Sequence, residues 1–272
     1  MRPFLKWPGG KYRIVNEIRA RLPKGKRLVE PFAGSGAVFL NTDYPAYWLS
    51  DSNADLINLY RTLQSQGEEF IRYCRSFFVP KNNTPERYYE LRETFNNTKD
   101  VVLKSALLVY LNRHGYNGLV RYNAQGSYNV PFGQYRRPYF PEAEMRYFYQ
   151  KSRDAEFTVA DFTEVMAAAR PGDVFYCDPP YVPLSETANF TTYSAGGFSM
   201  DQQAELARLA IELSQAGIPV LISNHETEFT NNAYQSASIT RIQVQRSISC
   251  DGNNRGKVGE VLALFEGGKA MT

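Results

Sequence analysis

The 272 residues suffice for one large or two modest domains, and an apolar share of 43% suffices for a packed core. A formal net charge of +3 separates no function classes by itself. Three cysteines (Cys74, Cys177, Cys250) and two histidines (His114, His225) give neither a disulfide framework nor zinc-ligand spacing, so no metal is expected and a reduced cytoplasmic setting fits. The opening MRPFLKWPGGK lacks the apolar stretch of a signal peptide. VVLKSALLVYL is too short to span a bilayer and is interrupted by Lys104, so no membrane association is expected.

KRLVEPFAG, residues 26–34, predicts a short buried strand running into a glycine turn, with a helix starting near Ser35 or Gly36. AYWLSD, from Ala46, predicts a second strand ending at Asp51, and this β-α-β start predicts a parallel sheet. Residues 54 to about 114 read as successive helices, broken near Pro80 and Pro85, with Leu103, Ala106, Leu107, Tyr110 and His114 at helical spacing. GLVRYNAQGSYNVPFGQY, from Gly118, predicts a β-hairpin turning at Gln125 and Gly126. Strands follow at FTVA from Phe157, VFYCD from Val174 and IPVLISN from Ile218. Ser199 with Gln202 makes a capping box that opens a helix to about Gln215. ITRIQVQRSI, from Ile239, and VLALF, from Val261, predict a closing antiparallel pair.

Residues 101–140 contain no Asp or Glu, but hold Lys104, Arg113, Arg121, Arg136 and Arg137 among six tyrosines. Cations that neutralise phosphate and rings that stack on bases suit a nucleic-acid surface. A solvated face over half-buried tyrosines fits the same window. Phe32-Ala33-Gly34-Ser35-Gly36 lets backbone approach a ligand, but Phe39 stands where a dinucleotide fingerprint wants a third glycine. Asp51 is placed for ribose hydroxyls of a nucleoside cofactor. FLKWPGGK puts Trp7 and Lys11 around two glycines. FYCDPPY, residues 175–181, ends an apolar strand on Asp178 and two prolines. Proline cannot join a strand ladder and drives the preceding residue extended, so Asp178 is expected to be held stiffly at a strand's carboxyl end, where open α/β sheets bind ligands. Cys177 alternates to the opposite face and reads as core.

Together these motifs resemble the adenine-N6 DNA methyltransferases and, within them, the bacterial and phage Dam family. The likeness runs through LVEPFAGSGAVFLNTD, YLNRHGYNGLVRYN, YNVPFGQYRRPYFPEAE, YCDPPYVPLSETANF, PVLISNHET and RSIS. It implies an α/β fold: a Rossmann-like methyltransferase sheet with an inserted helical target-recognition domain that carries a β-hairpin. Residues 1–55 and 145–272 would form the catalytic domain that binds S-adenosylmethionine, and residues 56–144 the recognition domain. The cofactor site would be lined by Trp7, Lys11, Phe32, Gly34, Gly36, Asp51 and Asp178. The catalytic motif would be Asp178, Pro179, Pro180 and Tyr181. DNA would meet Lys6, Tyr116, Asn117, Leu119, Arg121, Asn123, Pro131 and Arg136. The implied enzyme is a cytoplasmic, nucleoid-associated monomer with no obligate protein partner, methylating adenine N6 in double-stranded GATC. Two departures stand out. His114 occupies a position where the family likeness leads one to expect Tyr, and Gln134 one where a basic residue would suit a phosphate.

The chemistry explains the motif. The exocyclic amine of adenine is a poor nucleophile because its lone pair is delocalised into the ring. Two acceptors aimed at its two N–H bonds would localise that pair, and Asp178 and the Pro179 carbonyl are the expected pair. An amine inside a duplex is out of reach, so the base must flip out, with Tyr181 to stack on it. Related motifs serve cytosine N4, RNA adenine and protein amides, so another methylase substrate stays open, as does a silent DNA-binding module. A nicotinamide dehydrogenase is disfavoured by Phe39 and the insert. A cytosine-C5 methylase would need a Pro-Cys pair, which the chain lacks.

Overall fold

The computed structural model describes residues 1–182, 198–245 and 257–268. Its strands are β1 (Arg27–Glu30), β2 (Ala46–Asp51), β3 (Ala155–Val159), β4 (Asp173–Cys177), β5 (Val220–His225), β6 (Ser238–Gln245) and β7 (Lys257–Phe265), in the order β3-β2-β1-β4-β5-β7-β6. The helices are α1 (Val15–Arg19), α2 (Ala54–Ser76), α3 (Pro85–Asn97), α4 (Val101–His114), α5 (Glu142–Lys151), α6 (Phe162–Ala167), α7 (Met200–Gln215) and α8 (Glu228–Ala233). The chain divides into two compact units, Met1–Val15, Ala33–Asp43, Asp51–Val159 and Asn16–Phe32, Tyr44–Ser50, Ala160–Thr272.

The second unit carries most of the sheet. β1 pairs in parallel with β2 and β4, and β4 in parallel with β5, whereas β7 runs antiparallel to both β5 and β6. This is the Rossmann-like α/β arrangement. Every residue of β4 is buried, as a central parallel strand covered on both faces requires. Val29, Phe175, Cys177, Val220, Ile222 and Ala263 form the core with Leu206 and Ala210 of α7. Cys177 therefore lies in the core, as its alternation predicts. The strand order reverses between β1 and β4, the place where open α/β sheets bind ligands. The chain leaves β1 into the glycine turn and leaves β4 into Asp178. The capping box at Ser199 and Gln202 forms, and α7 ends at Gln215.

The first unit is mainly helical. Pro85 opens α3, with Thr84 capping its N-terminus. α4 is buried from Ser105 through His114 and forms the unit's centre. One sequence expectation needs correction. No α-helix starts at Ser35 or Gly36: Gly34 and Gly36 adopt positive φ, and only a single 3-10 turn follows at Phe39–Asn41. The hairpin forms no continuous ladder. It turns at Gln125 and Gly126 as expected and closes through the Tyr122 to Tyr128 bridge, with backbone bonds from Asn123 N–H to the Ser127 carbonyl and from Asn129 N–H to the Arg121 carbonyl. Arg246 of RSIS, residues 183–190 of the DPPY-containing block, and Cys250 lie outside the described residues.

Candidate active site and nucleic-acid interface

In the first unit the glycine turn is built around one acid. Asp51 Oδ2 accepts from the Gly34 amide at 3.0 Å and Oδ1 from the Asn53 amide at 2.9 Å. Burial pushes the Asp51 carboxyl up, and these two amides oppose that. Asn53 in turn caps α2 through Leu56 N–H. The Tyr60 hydroxyl donates to the Gly34 carbonyl at 2.5 Å. A Cβ at Gly34, whose φ is +46°, would stand 3.1 Å from the Trp7 indole, so only glycine lets that ring lie against the turn. Lys11 is buried and its Nζ donates to the Gly9 carbonyl at 2.6 Å. Trp7, Lys11, Gly34, Gly36 and Asp51 thus share the first unit. Phe32 belongs to the second, where its ring stacks on Phe162 at 5.5 Å and meets Phe198 edge-on. A flat ring, a close-approach glycine and a carboxylate with lone pairs to spare after two amides fit an adenosine-type cofactor.

In the second unit the residues after β4 are held by a buried polar scaffold. The Ser223 hydroxyl donates to Asp178 Oδ1 at 2.9 Å, with the Tyr176 hydroxyl 3.0 Å behind it. Gln203 Nε2 donates to the Pro180 carbonyl at 2.7 Å, and Gln203 Oε1 accepts from Asn224 Nδ2 at 3.0 Å. Asn224 Oδ1 accepts from the Val182 amide at 3.0 Å. The Tyr181 hydroxyl donates to Glu260 Oε2 at 3.0 Å, and its ring meets the His225 ring edge-on at 4.7 Å. Burial and the nearby Asp178 charge push the Tyr176 and Tyr181 hydroxyls far up, so both stay protonated donors. Burial also pushes the Cys177 thiol up and leaves it inert.

The proposed DNA-facing residues all lie in the first unit. Asn112, fully buried on α4, accepts from the Lys6 amide at 2.9 Å and donates to the carbonyls of Lys6 at 2.8 Å and Gly118 at 3.1 Å. The Lys6 side chain runs over Gly118, where any Cβ would come within 2.2 Å of Lys6 Cδ, and ends 4.9 Å above the Tyr135 ring. The Tyr135 hydroxyl accepts from the Asn117 amide at 2.9 Å, and Asn117 sits at φ 53°. Tyr116 is 52% exposed, although its amide is fixed to the Pro131 carbonyl. Leu119 is half-buried, its carbonyl accepting from the Tyr128 hydroxyl. Arg121 is exposed, with Nε bonded to Asn129 Oδ1 at 2.7 Å. Asn123 Oδ1 is engaged within the turn by the amides of Gln125 and Ser127, and Arg136 is exposed. Tyr122 anchors the loop by donating to Asp55 Oδ2, at the start of α2, and Lys104 pairs with the same carboxylate.

Sequence reasoning assigned no role to Asn112, Tyr135, Gln203, Ser223, Asn224 or Glu260. Its one available signal was in LISNH of β5, where Ser and Asn interrupt a strand that is otherwise apolar. Among the described residues no His, Cys, Asp or Glu cluster could hold a metal, and no helix is long and apolar enough to cross a membrane.

A family model described as D12 class N6 adenine-specific DNA methyltransferase matches residues 7–248. The chain is 51% identical over 269 residues to a DNA adenine methylase of Salmonella typhi, covering 99% of this chain and 97% of that protein. It is 51% identical over 267 residues to one of Escherichia coli strain K12, covering 98% and 96%. It is 48% identical over 265 residues to one of Vibrio cholerae O395, covering 97% and 96%.

Proposed function

This chain belongs to the D12 class of N6 adenine-specific DNA methyltransferases, and from that premise we propose that it methylates adenine N6 within double-stranded GATC, drawing on S-adenosylmethionine and flipping the target base. Trp7, Lys11, Gly34 and Asp51 would hold the cofactor, with Asp51 taking ribose hydroxyls and the indole covering a face. Phe32, Gly36 and Asp178 complete the expected lining. S-adenosylmethionine supplies an electrophilic methyl group when bound.

The chain's own residues prepare the nucleophile. Asp178 accepts one N–H of the exocyclic amine and the Pro179 carbonyl the other, which localises the nitrogen lone pair. Pro179 and Pro180 restrict the backbone that aims both acceptors. The amine gives up one proton overall, and Asp178 is the group placed to take it. Tyr181 stacks on the extruded adenine, its ring angle set by the Glu260 and His225 contacts. Positioning of this kind supplies much of the rate in a transfer that needs no covalent intermediate.

Residues 56–144, together with Lys6, read the duplex. Arg121 bonds guanine O6 and N7 in the major groove, Tyr116 fills the gap left by the flipped base, and Asn117, Leu119 and Pro131 border it. Arg136 meets phosphate. Asn123 serves the same surface by shaping the turn. The enzyme works as a monomer in the cytoplasm, where its DNA lies.

The observation that carries this reading is the Asp178 carboxylate, held by Ser223 immediately before two prolines. Methyl transfer from labelled S-adenosylmethionine to a GATC duplex tests it. Label recovered as N6-methyladenine is the expected product, and label on cytosine would overturn the assignment.

A further inference from the structure

We propose that Ser223 is a positioning residue for the reaction, delivering a one-way hydrogen-bond chain from Tyr176 to Asp178. The inference rests on Asp178 being the acceptor of the amine. Tyr176 and Asp178 are two residues apart on β4 and its extension, so they share the sheet face opposite Cys177. β5 lies alongside in parallel register, with Tyr176 opposite Leu221 and Cys177 opposite Ile222, which brings Ser223 level with Asp178.

Ser223 has no solvent exposure, and its single proton points at Asp178 Oδ1. With that proton committed, the Tyr176 hydroxyl, 3.0 Å away, can only donate to Ser223 Oγ. The direction of the whole chain is therefore fixed. Burial keeps a proton on Tyr176 to donate, and an ionised Asp178 has none to give back, so the chain runs toward the carboxylate. A donor on Oδ1 fixes the plane of the carboxylate and leaves Oδ2 to address the amine. It also favours the ionised carboxylate, the form that can accept. An apolar residue at 223 would take this partner from both the buried Tyr176 hydroxyl and Asp178 Oδ1.

Glu30 on β1, Glu260 on β7, His225 on β5 and the Tyr181 hydroxyl are the other titratable groups facing this chain among the described residues. Ser223 also bonds the Tyr181 hydroxyl, so a change there removes that contact too, and Tyr181→Phe, which lacks the hydroxyl, is the control that separates it from the effect on Asp178.

The test compares single-turnover methylation by the full chain with its Ser223→Ala, Ser223→Cys, Ser223→Thr and Asp178→Ala variants across pH on one duplex. Ser223→Ala should slow transfer about tenfold at neutral pH, as loss of a charge-assisted bond to a reacting group predicts. The acid limb of its profile should move to higher pH, while half-saturation by DNA stays near the parent value. Ser223→Cys, which keeps the volume with a weak donor, should behave alike and covers the case in which alanine prevents folding. Ser223→Thr keeps the hydroxyl and should restore most of the rate. A parent-like rate and unmoved limb in Ser223→Ala or Ser223→Cys, with Asp178→Ala inactive, would overturn the Ser223 inference alone. An active Asp178→Ala would overturn the reading beneath it.

Discussion

Asn112 holds the Lys6 backbone at both its N–H and its C=O, from a position on α4 that is fully buried. The same carboxamide holds the Gly118 carbonyl, so one side chain joins the N-terminal arm to the loop that carries Tyr116 and Arg121. The arm and the loop are thereby fixed to each other.

Asn112→Ala leaves the buried Gly118 carbonyl and the partly buried Lys6 backbone groups without this partner, at a cost of about 1–3 kcal/mol in stability. Duplex affinity should fall several-fold, because the arm and loop lose their common anchor. Chemical denaturation and a duplex titration of the folded variant check both effects. Parent-like affinity in a well-folded variant would separate Lys6 from the DNA surface.

Asp178→Ala should reduce methyl transfer by on the order of 10³-fold or more while leaving duplex binding largely intact, since the role proposed for the carboxylate is on the amine and not on the helix. Tyr181→Phe keeps the ring but loses the bond to Glu260. Its rate should fall only a few-fold. Complete loss of activity would mean that the hydroxyl has a direct chemical role.

Arg121→Ala should relax the preference at one base pair of the site, by about 1–3 kcal/mol of discrimination. Competition between duplexes that differ at single positions reads this out. A uniform loss across all duplexes, with a shallower salt dependence, would make Arg121 a phosphate contact.

His114 gives a pH signature. Its ring stacks on Tyr110 at 4.0 Å, and burial lowers its pKa to about 4. The folded state therefore binds fewer protons than the unfolded state below the ordinary value of 6.5. The stability contributed by neutral His114 is fully present above pH ~6.5 and is lost as the pH falls towards 4, by an amount on the order of 3 kcal/mol. His114→Phe, which keeps a ring against Tyr110, should show a flatter decline of unfolding free energy over that window. Equal slopes for parent and variant would contradict it. The unexpected histidine in RHGYNG is thus a core residue.

The elements that sequence reading placed well are those with local causes. β4 is a short apolar run stopped by prolines, and α7 opens on a capping box that can be read from Ser199 and Gln202 alone. The helix expected near Ser35 failed because the positive φ of Gly34 and Gly36 bends the chain through Asp51, a partner seventeen residues on. The hairpin was legible as a turn, and its arms pair through Asn123 N–H to the Ser127 carbonyl and Asn129 N–H to the Arg121 carbonyl. Asp178 and Asp51 could be singled out by chemistry. Ser223, Gln203 and Asn112 could not, because a polar residue in a buried element acquires meaning only from distant partners.

The most direct test of the account is methyl transfer from labelled S-adenosylmethionine to two duplexes that differ only in GATC versus GTTC. Label on the GATC duplex alone, recovered as N6-methyladenine, is the predicted result. Equal labelling of both duplexes would contradict the proposed site, and no label on either, with tight duplex binding, would contradict the proposed catalytic role of Asp178.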